Sequence, residues 1–274
     1  MVQIAVLGLG EAGSVYAAGL AQRGARVVAA DPVASAPPAG VRLAPGVAAA
    51  VTGAELVLSL VGAGAAATVL ESALADLPAG AVYADMNTGG ADAKQRFAAL
   101  AADRGVLFAD VAILAPVPRA RLQTPLLVSG TGAAALCALL ARFDIPVTDL
   151  GADAGLAASL KLLRSVFMKG LAGLVFEGLS AADRIGARDW LQSQIAAELG
   201  PDGEALVQRL LDGTVLHAGR RETEMRDALG YLQSLGASAW MTEGTVRWLQ
   251  EIASGPTLSA TMHPLQPDPL EVCP

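Results

Sequence analysis

The amino-acid sequence predicts an α/β domain with a parallel sheet, followed by an all-α domain. Up to about residue 150, short apolar runs alternate with stretches of helical periodicity, which is the pattern of βαβ units whose sheet is covered on both faces. After Pro146 the apolar runs give way to successive helical stretches. We therefore expect two domains, 1–150 and 151–274.

The elements of the first domain are expected to be short. Parallel strands buried on both faces read as continuous runs of Val, Leu, Ile and Ala, so each such run should be one strand. The stretches between them have helical spacing. The strands are expected at 3–7, 26–30, 55–60, 81–84, 106–111 and 126–129, and the helices near 12–23, 64–76, 91–104 and 133–143.

The second domain is expected to contain four helices, separated where Gly interrupts the helical pattern. The last stretch of the chain is rich in Pro, so we expect an extended tail there. The helices are expected at 154–186, 188–199, 203–234 and 238–254.

The composition excludes several classes of function. The net charge is −7, so the chain should repel nucleic acid and anionic membrane surfaces, and any basic site must be local. Two cysteines and two histidines give neither a disulfide framework nor metal-ligand spacing. The N-terminal segment lacks the basic region of a signal peptide, and no apolar run is long enough to span a membrane. We expect a cytoplasmic protein that binds a small molecule and no metal.

A glycine loop follows the first predicted strand and opens the first helix. Its G-x-G-x-x-G spacing suits a tight turn, a close approach of the backbone to a pyrophosphate, and close packing of helix on strand. The alternative is a Gly-rich turn before an ordinary helix. Because strand, loop and helix follow in register, the sequence favours a Rossmann domain that binds a dinucleotide. The loop residues are Gly8, Leu9, Gly10, Glu11, Ala12 and Gly13.

An acid ends the second predicted strand. Asp31 lies about 20 residues beyond the loop, where a carboxylate that binds the ribose of NAD is expected. A carboxylate there accepts hydrogen bonds from the 2′-hydroxyl of NAD and repels the 2′-phosphate of NADP, and no Arg follows it directly. The alternative is a solvated Asp at a strand end. The sequence predicts NAD as the cofactor, with NADP less favoured.

A narrow basic stripe crosses an otherwise apolar helix in the segment SLKLLRSVFMKGL. At helical spacing Lys161, Arg164, Ser165 and Lys169 share one face. Buried cations are costly unless they meet an anion. That anion is either a ligand or a protein carboxylate, and the long side chains could also extend to solvent.

Together these residues resemble the β-hydroxyacid dehydrogenase superfamily, which includes 6-phosphogluconate and 3-hydroxyisobutyrate dehydrogenases. The segments SLKLLRSVFMKGL, DVAILAPVP and RLQTPLLVSG are most similar to a 6-phosphogluconate dehydrogenase-like branch. The resemblance implies a Rossmann domain, then a helical domain that opens with a long helix and assembles as a dimer or larger. It also implies a catalytic lysine near the start of that helix, which matches Lys161.

The resemblance implies roles for further positions. The glycines of the loop would bind the cofactor pyrophosphate, and residues after the third and fourth predicted strands would line the cofactor path. The basic stripe and one histidine of the helical domain are candidates for binding substrate. The cofactor-path residues are Leu60, Val61, Asn87 and Thr88, and the substrate candidates are Arg164, Ser165, Lys169 and His217.

The chain also departs from the family pattern. Ser165 stands where the family usually has Asn, and Met168 and Lys169 stand where phosphogluconate enzymes have Glu and Tyr, so decarboxylation finds no support. The Ser-Gly-Gly substrate motif that follows Asp110 is replaced by the sequence Leu-Ala-Pro, and Pro116 has no N–H to offer a substrate carboxylate.

Lys161 is expected to act as a general acid/base. Hydride transfer from an alcohol needs a group that takes the hydroxyl proton, and burial and the nearby Arg164 would lower the pKa of the lysine toward neutrality. His217 could reach the same site. The alternative for His217 is a charged helix face on which Arg220 pairs with Glu224.

The leading interpretation is an NAD(P)-dependent oxidoreductase that transfers hydride between a nicotinamide cofactor and a small hydroxy acid or related alcohol. One alternative is an imine reductase, although those enzymes commonly carry Asp or Tyr at the position of Lys161. Another is a non-catalytic dinucleotide-binding redox sensor.

Overall fold

The computed structural model describes residues 1–34 and 36–255, and these residues form two compact units. The first unit extends from Met1 to Lys161, and the second begins at Leu162. The predicted Pro-rich tail lies outside the described residues, apart from its first two positions. The division of function at residue 151 stays a prediction.

The first unit is built on an eight-stranded sheet with the strand order β3-β2-β1-β4-β5-β6-β7-β8. Neighbouring strands are parallel except β6 and β7, which are antiparallel. The parallel sheet that the sequence predicted is present, and the antiparallel β6–β7 pair is an exception within it. The strands are β1 (Gln3–Leu7), β2 (Arg26–Ala30), β3 (Val41–Leu43), β4 (Leu56–Ser59), β5 (Val82–Asp85), β6 (Leu107–Ile113), β7 (Leu126–Ser129) and β8 (Val147–Asp149).

Helices cover the sheet on both faces, and each face has its own core. Successive residues of a strand point to opposite faces. In β1, Ile4 therefore packs in one core with Tyr16 and Leu136, and Leu7 packs in the other with Leu70. The helices are α1 (Glu11–Gln22), α2 (Val47–Val51), α3 (Ala66–Leu74), α4 (Ala91–Ala102), α5 (Val117–Ala120) and α6 (Ala133–Ala141), with a 3-10 turn at Arg121–Gln123.

The chain direction across the sheet reverses beside β1. From β1 the chain proceeds outward through β2 and β3, and it then returns to place β4 on the other side of β1. In open α/β sheets, ligands bind beyond the carboxyl ends of the strands at such a switch point. The glycine loop after β1 and Leu60 after β4 lie at this position.

The second unit is helical, and its helices pack in two apolar clusters. Phe176 and Leu179 of the long helix pack with Leu210, whereas Leu162 packs with Met225 and other residues of the last two helices. Within the described residues no helix is long and apolar enough to cross a membrane. The helices are α7 (Leu156–Asp183), which begins in the first unit, α8 (Arg188–Glu198), α9 (Gly203–Ser234) and α10 (Trp240–Ser254).

One helix of the second unit has an irregularity that the sequence did not predict. The helix α9 has the predicted bounds but is kinked at His217, whose φ of −125° and ψ of 23° are not helical. Trp240 is 80% exposed at the start of α10.

Candidate active site

Two positions of the glycine loop are so close to neighbouring backbone that they leave no room for a side chain. Gly8 has a φ of +90°, and a Cβ there would lie 2.5 Å from the carbonyl oxygen of Leu60. A Cβ at Gly13 would lie 1.9 Å from the carbonyl oxygen of Gly8, so helix α1 can pack this closely only without a side chain. A Cβ at Gly10 would meet no protein atom within 4 Å. The space over Gly10, at the N-terminus of α1, therefore fits a close approach by a pyrophosphate.

Asp31 joins the end of β2 to the glycine loop. Its Oδ2 accepts a hydrogen bond from the amide of Leu9 at 2.6 Å, and its Oδ1 accepts from the amides of Val33 and Ala34 at 2.8 and 3.0 Å. The amides of Leu9 and Val33 lower the pKa of this carboxyl below its usual range. A carboxylate offers about four acceptor sites, so one remains for a ribose hydroxyl.

Asn87 braces the loops that follow β4 and β5. Its Oδ1 accepts from the amide of Gly62 at 2.8 Å, and its Nδ2 donates to Ser59 at 3.1 Å and to Asp85 at 2.5 Å. The side chain is buried. Asn87 therefore stabilises the two loops that flank the predicted nicotinamide position. It holds the loop after β4 through Gly62, and it belongs to the loop after β5 itself.

A buried lysine lies between two buried carboxylates beneath these loops. The strands β5 and β6 pair Asp85 with Asp110 side by side, and Lys94 of α4 lies 3.0 Å from Asp85 Oδ2 and 3.4 Å from Asp110 Oδ1. All three side chains are at most 2% exposed. Two adjacent buried carboxylates require a cation nearby, and Lys94 supplies it. Lys94 also donates to the carbonyl oxygens of Asp85 and Asn87 at 3.2 and 2.8 Å.

The other side of Asp110 holds the start of helix α7. Its Oδ2 accepts from the amide of Ala158 at 2.9 Å, and the hydroxyl of Ser129 accepts from the amide of Ala157 at 3.0 Å. The first amides of a helix have no partner within the helix, and a carboxylate there also interacts favourably with the helix dipole. Gly155, with a φ of +96°, allows the backbone to pass close to Ala91 at the start of α4.

Lys161 and Thr88, which are 73 residues apart in sequence, meet in the first unit. The Nζ atom of Lys161 donates to Oγ1 of Thr88 at 3.2 Å. Lys161 is partly buried and lies one turn beyond the amides that Asp110 and Ser129 hold. The structure therefore brings together two of the residues that the sequence singled out, one from each of two separate predicted motifs.

The rest of the basic stripe divides into different environments. Lys169 pairs with Glu224 at 2.8 Å and donates to the buried hydroxyl of Ser165 at 2.9 Å. A protein carboxylate therefore meets this cation, which is the alternative that the sequence left open. Arg164 is exposed on α7.

His217 is exposed at the kink of α9. The expected pair of Arg220 with Glu224 is present at 3.8 Å, and Arg220 is 69% exposed. Across the kink Arg221 donates to the buried hydroxyl of Thr214, and burial lowers the pKa of Arg221. The contact of Arg221 with Thr214 therefore bridges the place where α9 departs from regular helix.

Sequence reasoning missed Lys94 and the pairing of Asp85 with Asp110. The available signal was an acid at the ends of two successive predicted strands, because buried acids need a counter-charge. Within residues 1–34 and 36–255, no group of three or more His, Cys, Asp or Glu side chains could hold a metal ion.

Comparison with known proteins relates both units to described families. Residues 3–139 match the NAD binding domain of 6-phosphogluconate dehydrogenase, and residues 182–252 match a domain of unknown function. A conserved hypothetical protein from Sinorhizobium meliloti 1021 is 33% identical, with a TM-score of 0.75 over 91% of this chain and 88% of that one.

More distant relatives share the fold. The Mycobacterium tuberculosis 3-hydroxyisobutyrate dehydrogenase is 20% identical, with a TM-score of 0.77 over 93% of this chain and 94% of that one. An imine reductase from Streptomyces aurantiacus is 23% identical, with a TM-score of 0.60 over 90% and 93%. An uncharacterized 28.5 kDa protein of Methanothermus fervidus is 28% identical over 53% of this chain, and the match spans 56% of that protein. The chain belongs to the family defined by the NAD binding domain of 6-phosphogluconate dehydrogenase.

Proposed function

We propose that this protein is an NAD-dependent oxidoreductase that transfers hydride between nicotinamide and a small hydroxy acid or related alcohol, with Lys161 as general acid/base. The observation that carries the proposal is the contact of Lys161 Nζ with Thr88 Oγ1 at 3.2 Å. This contact lies in the same compact unit as the glycine loop, so one unit contains both a dinucleotide site and a lysine suited to proton transfer.

The chain's residues have distinct tasks in this proposal. The amides at the start of α1 hold the pyrophosphate, and Asp31 accepts from a ribose hydroxyl. Leu60 and Val61 follow β4 and line the path to Thr88. Bound nicotinamide supplies the hydride acceptor or donor. The neutral amine of Lys161 takes the substrate hydroxyl proton at Nζ during oxidation, and the resulting ammonium returns it during reduction. Thr88 orients Nζ by accepting a hydrogen bond from it.

The substrate side is proposed from the same helix. Arg164 is exposed one turn beyond Lys161, so it is the cation of the stripe best suited to an anionic substrate group. Lys169 contacts both Ser165 and Glu224, so we assign Lys169 and Ser165 to shaping the helix and not to binding substrate directly. His217 stays a candidate because it is exposed.

We also propose that two copies pair through α7. Its apolar side chains recur along one side of the helix and remain exposed, with Phe167 68% and Leu174 54% exposed. Leu160 and Leu163 extend the same surface. Exposed apolar surface of this kind on one element indicates an interface, and a two-fold pair would cover it symmetrically.

The proposal is tested by a panel of small hydroxy acids, alcohols and imines assayed with NAD and NADH. Turnover of a hydroxy acid or alcohol is expected, and Lys161→Ala should lower kcat by about 10²–10⁴-fold while NADH affinity is retained. The matched control is Lys169→Ala, which removes a lysine from the same helix. Turnover of imines alone would assign the chain to reduction of C=N bonds, and NADH binding without any turnover would support the redox sensor.

A further inference from the structure

Lysine is scarce in this chain and occupies special positions. The sequence contains three lysines, Lys94, Lys161 and Lys169, among 19 Lys and Arg residues. Two of them belong to the first unit, and the proposed function uses only Lys161. Lys94 is 1% exposed and is held by two carboxylates, so its place in the molecule needs its own explanation.

On one side Lys94 holds the loop that carries Thr88. It donates to the backbone carbonyl oxygens of Asp85 and Asn87, which fixes the chain immediately before Thr88. The ion pair with Asp85 at 3.0 Å anchors the same segment to the end of β5. The position of the Thr88 hydroxyl therefore depends on a buried ammonium group.

On the other side Asp110 holds the helix that carries Lys161. One carboxylate oxygen lies 3.4 Å from Lys94, and the other accepts from the amide of Ala158, three residues before Lys161. Ser129 holds the preceding amide, that of Ala157, and donates to the same carboxylate oxygen at 3.4 Å. The orientation of the first turn of α7 is thus set by the same buried cluster that sets the loop.

We propose that the buried Lys94–Asp110 pair positions Lys161 against Thr88 by tying the β5–α4 loop to the first turn of α7. The inference rests on the proposed function in that Lys161 is the acid/base of the reaction. Lys94 and Asp110 are positioning residues, because they act on Lys161 through the backbone of two elements. Sub-ångström placement of an acid/base group governs its contribution to the rate, which gives such a cluster its value.

The scarcity of lysine provides a direct readout. Protein labelled with ¹³C at the lysine ε-carbon gives three lysine signals, which Lys161→Arg and Lys169→Arg assign. Thr88→Ala removes the hydroxyl that Lys161 contacts, so the chemical shift of Lys161 in this variant is the reference for a lysine without that contact. Asp110→Asn, which keeps the shape of the side chain, is expected to move the Lys161 signal toward that position and to move the Lys94 signal as well. The Lys169 signal should stay in place.

The double variant separates positioning from a direct electrostatic effect. If Asp110 acts by holding Lys161 against Thr88, then Asp110→Asn adds almost no further displacement of the Lys161 signal once Thr88→Ala is present. Additive displacements, or an unmoved Lys161 signal in Asp110→Asn, would overturn the inference. The matched control is Asp183→Asn, which removes a carboxylate at the other end of α7, where it pairs with Arg188, and should leave Lys161 unmoved.

If Asp110→Asn does not fold, a milder variant tests whether the buried cluster positions Lys161. Ser129→Ala removes only the hydroxyl that holds the Ala157 amide and should move the Lys161 signal in the same direction by a smaller amount, and an unmoved signal overturns the inference. The readout needs neither cofactor nor substrate. If Lys161→Ala keeps its turnover while the signals behave as expected, the proposed function fails and the positioning cluster stands. If Lys161→Ala abolishes turnover and the signals do not move, the inference alone fails.

Discussion

The Oδ2 atom of Asp31 accepts a hydrogen bond of 2.6 Å from the amide of Leu9, so the acid that ends β2 holds the turn of the glycine loop directly. This contact links the residue expected to select the cofactor to the loop expected to bind it. A change at Asp31 should therefore affect both the order of the loop and the choice between NAD and NADP.

Replacing Asp31 with Ser is expected to narrow the preference for NAD over NADP. The carboxylate repels a 2′-phosphate, and the hydroxyl of Ser does not. Calorimetric titration of wild type and Asp31→Ser with both cofactors measures the two affinities. Wild-type protein that binds NADP as tightly as NAD would refute the assignment of NAD.

Asp31 should also make stability depend on pH in the acid range. The amides of Leu9 and Val33 hold its pKa in the folded state below the ordinary value of 3.8. Its contribution is therefore fully present above that ordinary value and is lost as the pH falls through the folded value. The difference in unfolding free energy between wild type and Asp31→Asn should be constant from about pH 7 to pH 5 and shrink at lower pH. The exposed Asp76→Asn variant serves as the control, and a difference that grows as the pH falls would contradict the prediction.

Two of the loop glycines, Gly13 and Gly10, should respond differently to replacement by Ala. Gly13→Ala places a Cβ 1.9 Å from a backbone oxygen and should lower the free energy of unfolding by about 1–3 kcal/mol or more. Gly10→Ala meets no protein atom within 4 Å, so it should leave stability nearly unchanged and weaken NAD binding. Denaturant unfolding and NADH titration of both variants measure the two effects. Unchanged NADH affinity in Gly10→Ala would count against the proposed pyrophosphate position.

Lys161→Arg should be almost as inactive as Lys161→Ala. The guanidinium group keeps its positive charge but does not release its proton at working pH, so charge alone cannot replace the amine. NADH affinity should remain close to that of wild type. Steady-state kinetics on the substrate that the panel identifies will measure kcat of both variants. Full activity of Lys161→Arg would show that only a positive charge is needed.

Pairing through α7 predicts that a polar side chain at Phe167 releases monomers. Phe167 is 68% exposed, so Phe167→Ser should leave the fold intact and remove apolar contact area from the interface. Light scattering at micromolar concentration compares the masses of wild type and variant. A wild type that is monomeric at this concentration would rule out the pairing.

The sequence predicted the fold best where local geometry dictates the residues. The bounds of β1 and β2 agree with the structure, and the loop between β1 and α1 has Gly8 and Gly13 where the backbone is crowded. Here the residue types follow from contacts within a few positions. The short strands β3 and β8 were missed, because runs of three residues carry too little periodicity to be recognised.

The buried cluster around Lys94 could not be predicted in the same way. In the sequence Lys94 resembles a solvated residue of α4, and only the register of β5 against β6 places Asp85 and Asp110 side by side. The kink at His217 is similar, since no Pro or Gly at that position announces it and the contact of Arg221 with Thr214 spans two turns. The first feature depends on the register of two strands, and the second depends on a side-chain contact across two turns of one helix.

The unequal crowding of the three glycines bears on how such a chain would change over generations. Packing alone holds Gly8 and Gly13 in place, because any side chain there collides with backbone. Gly10 is free of that constraint, so only a bound pyrophosphate would oppose its replacement. In a descendant that no longer binds a dinucleotide, Gly10 would be replaced first, while Gly8 and Gly13 would be retained. The residue at this position would then distinguish relatives that bind a dinucleotide from relatives that have lost this function.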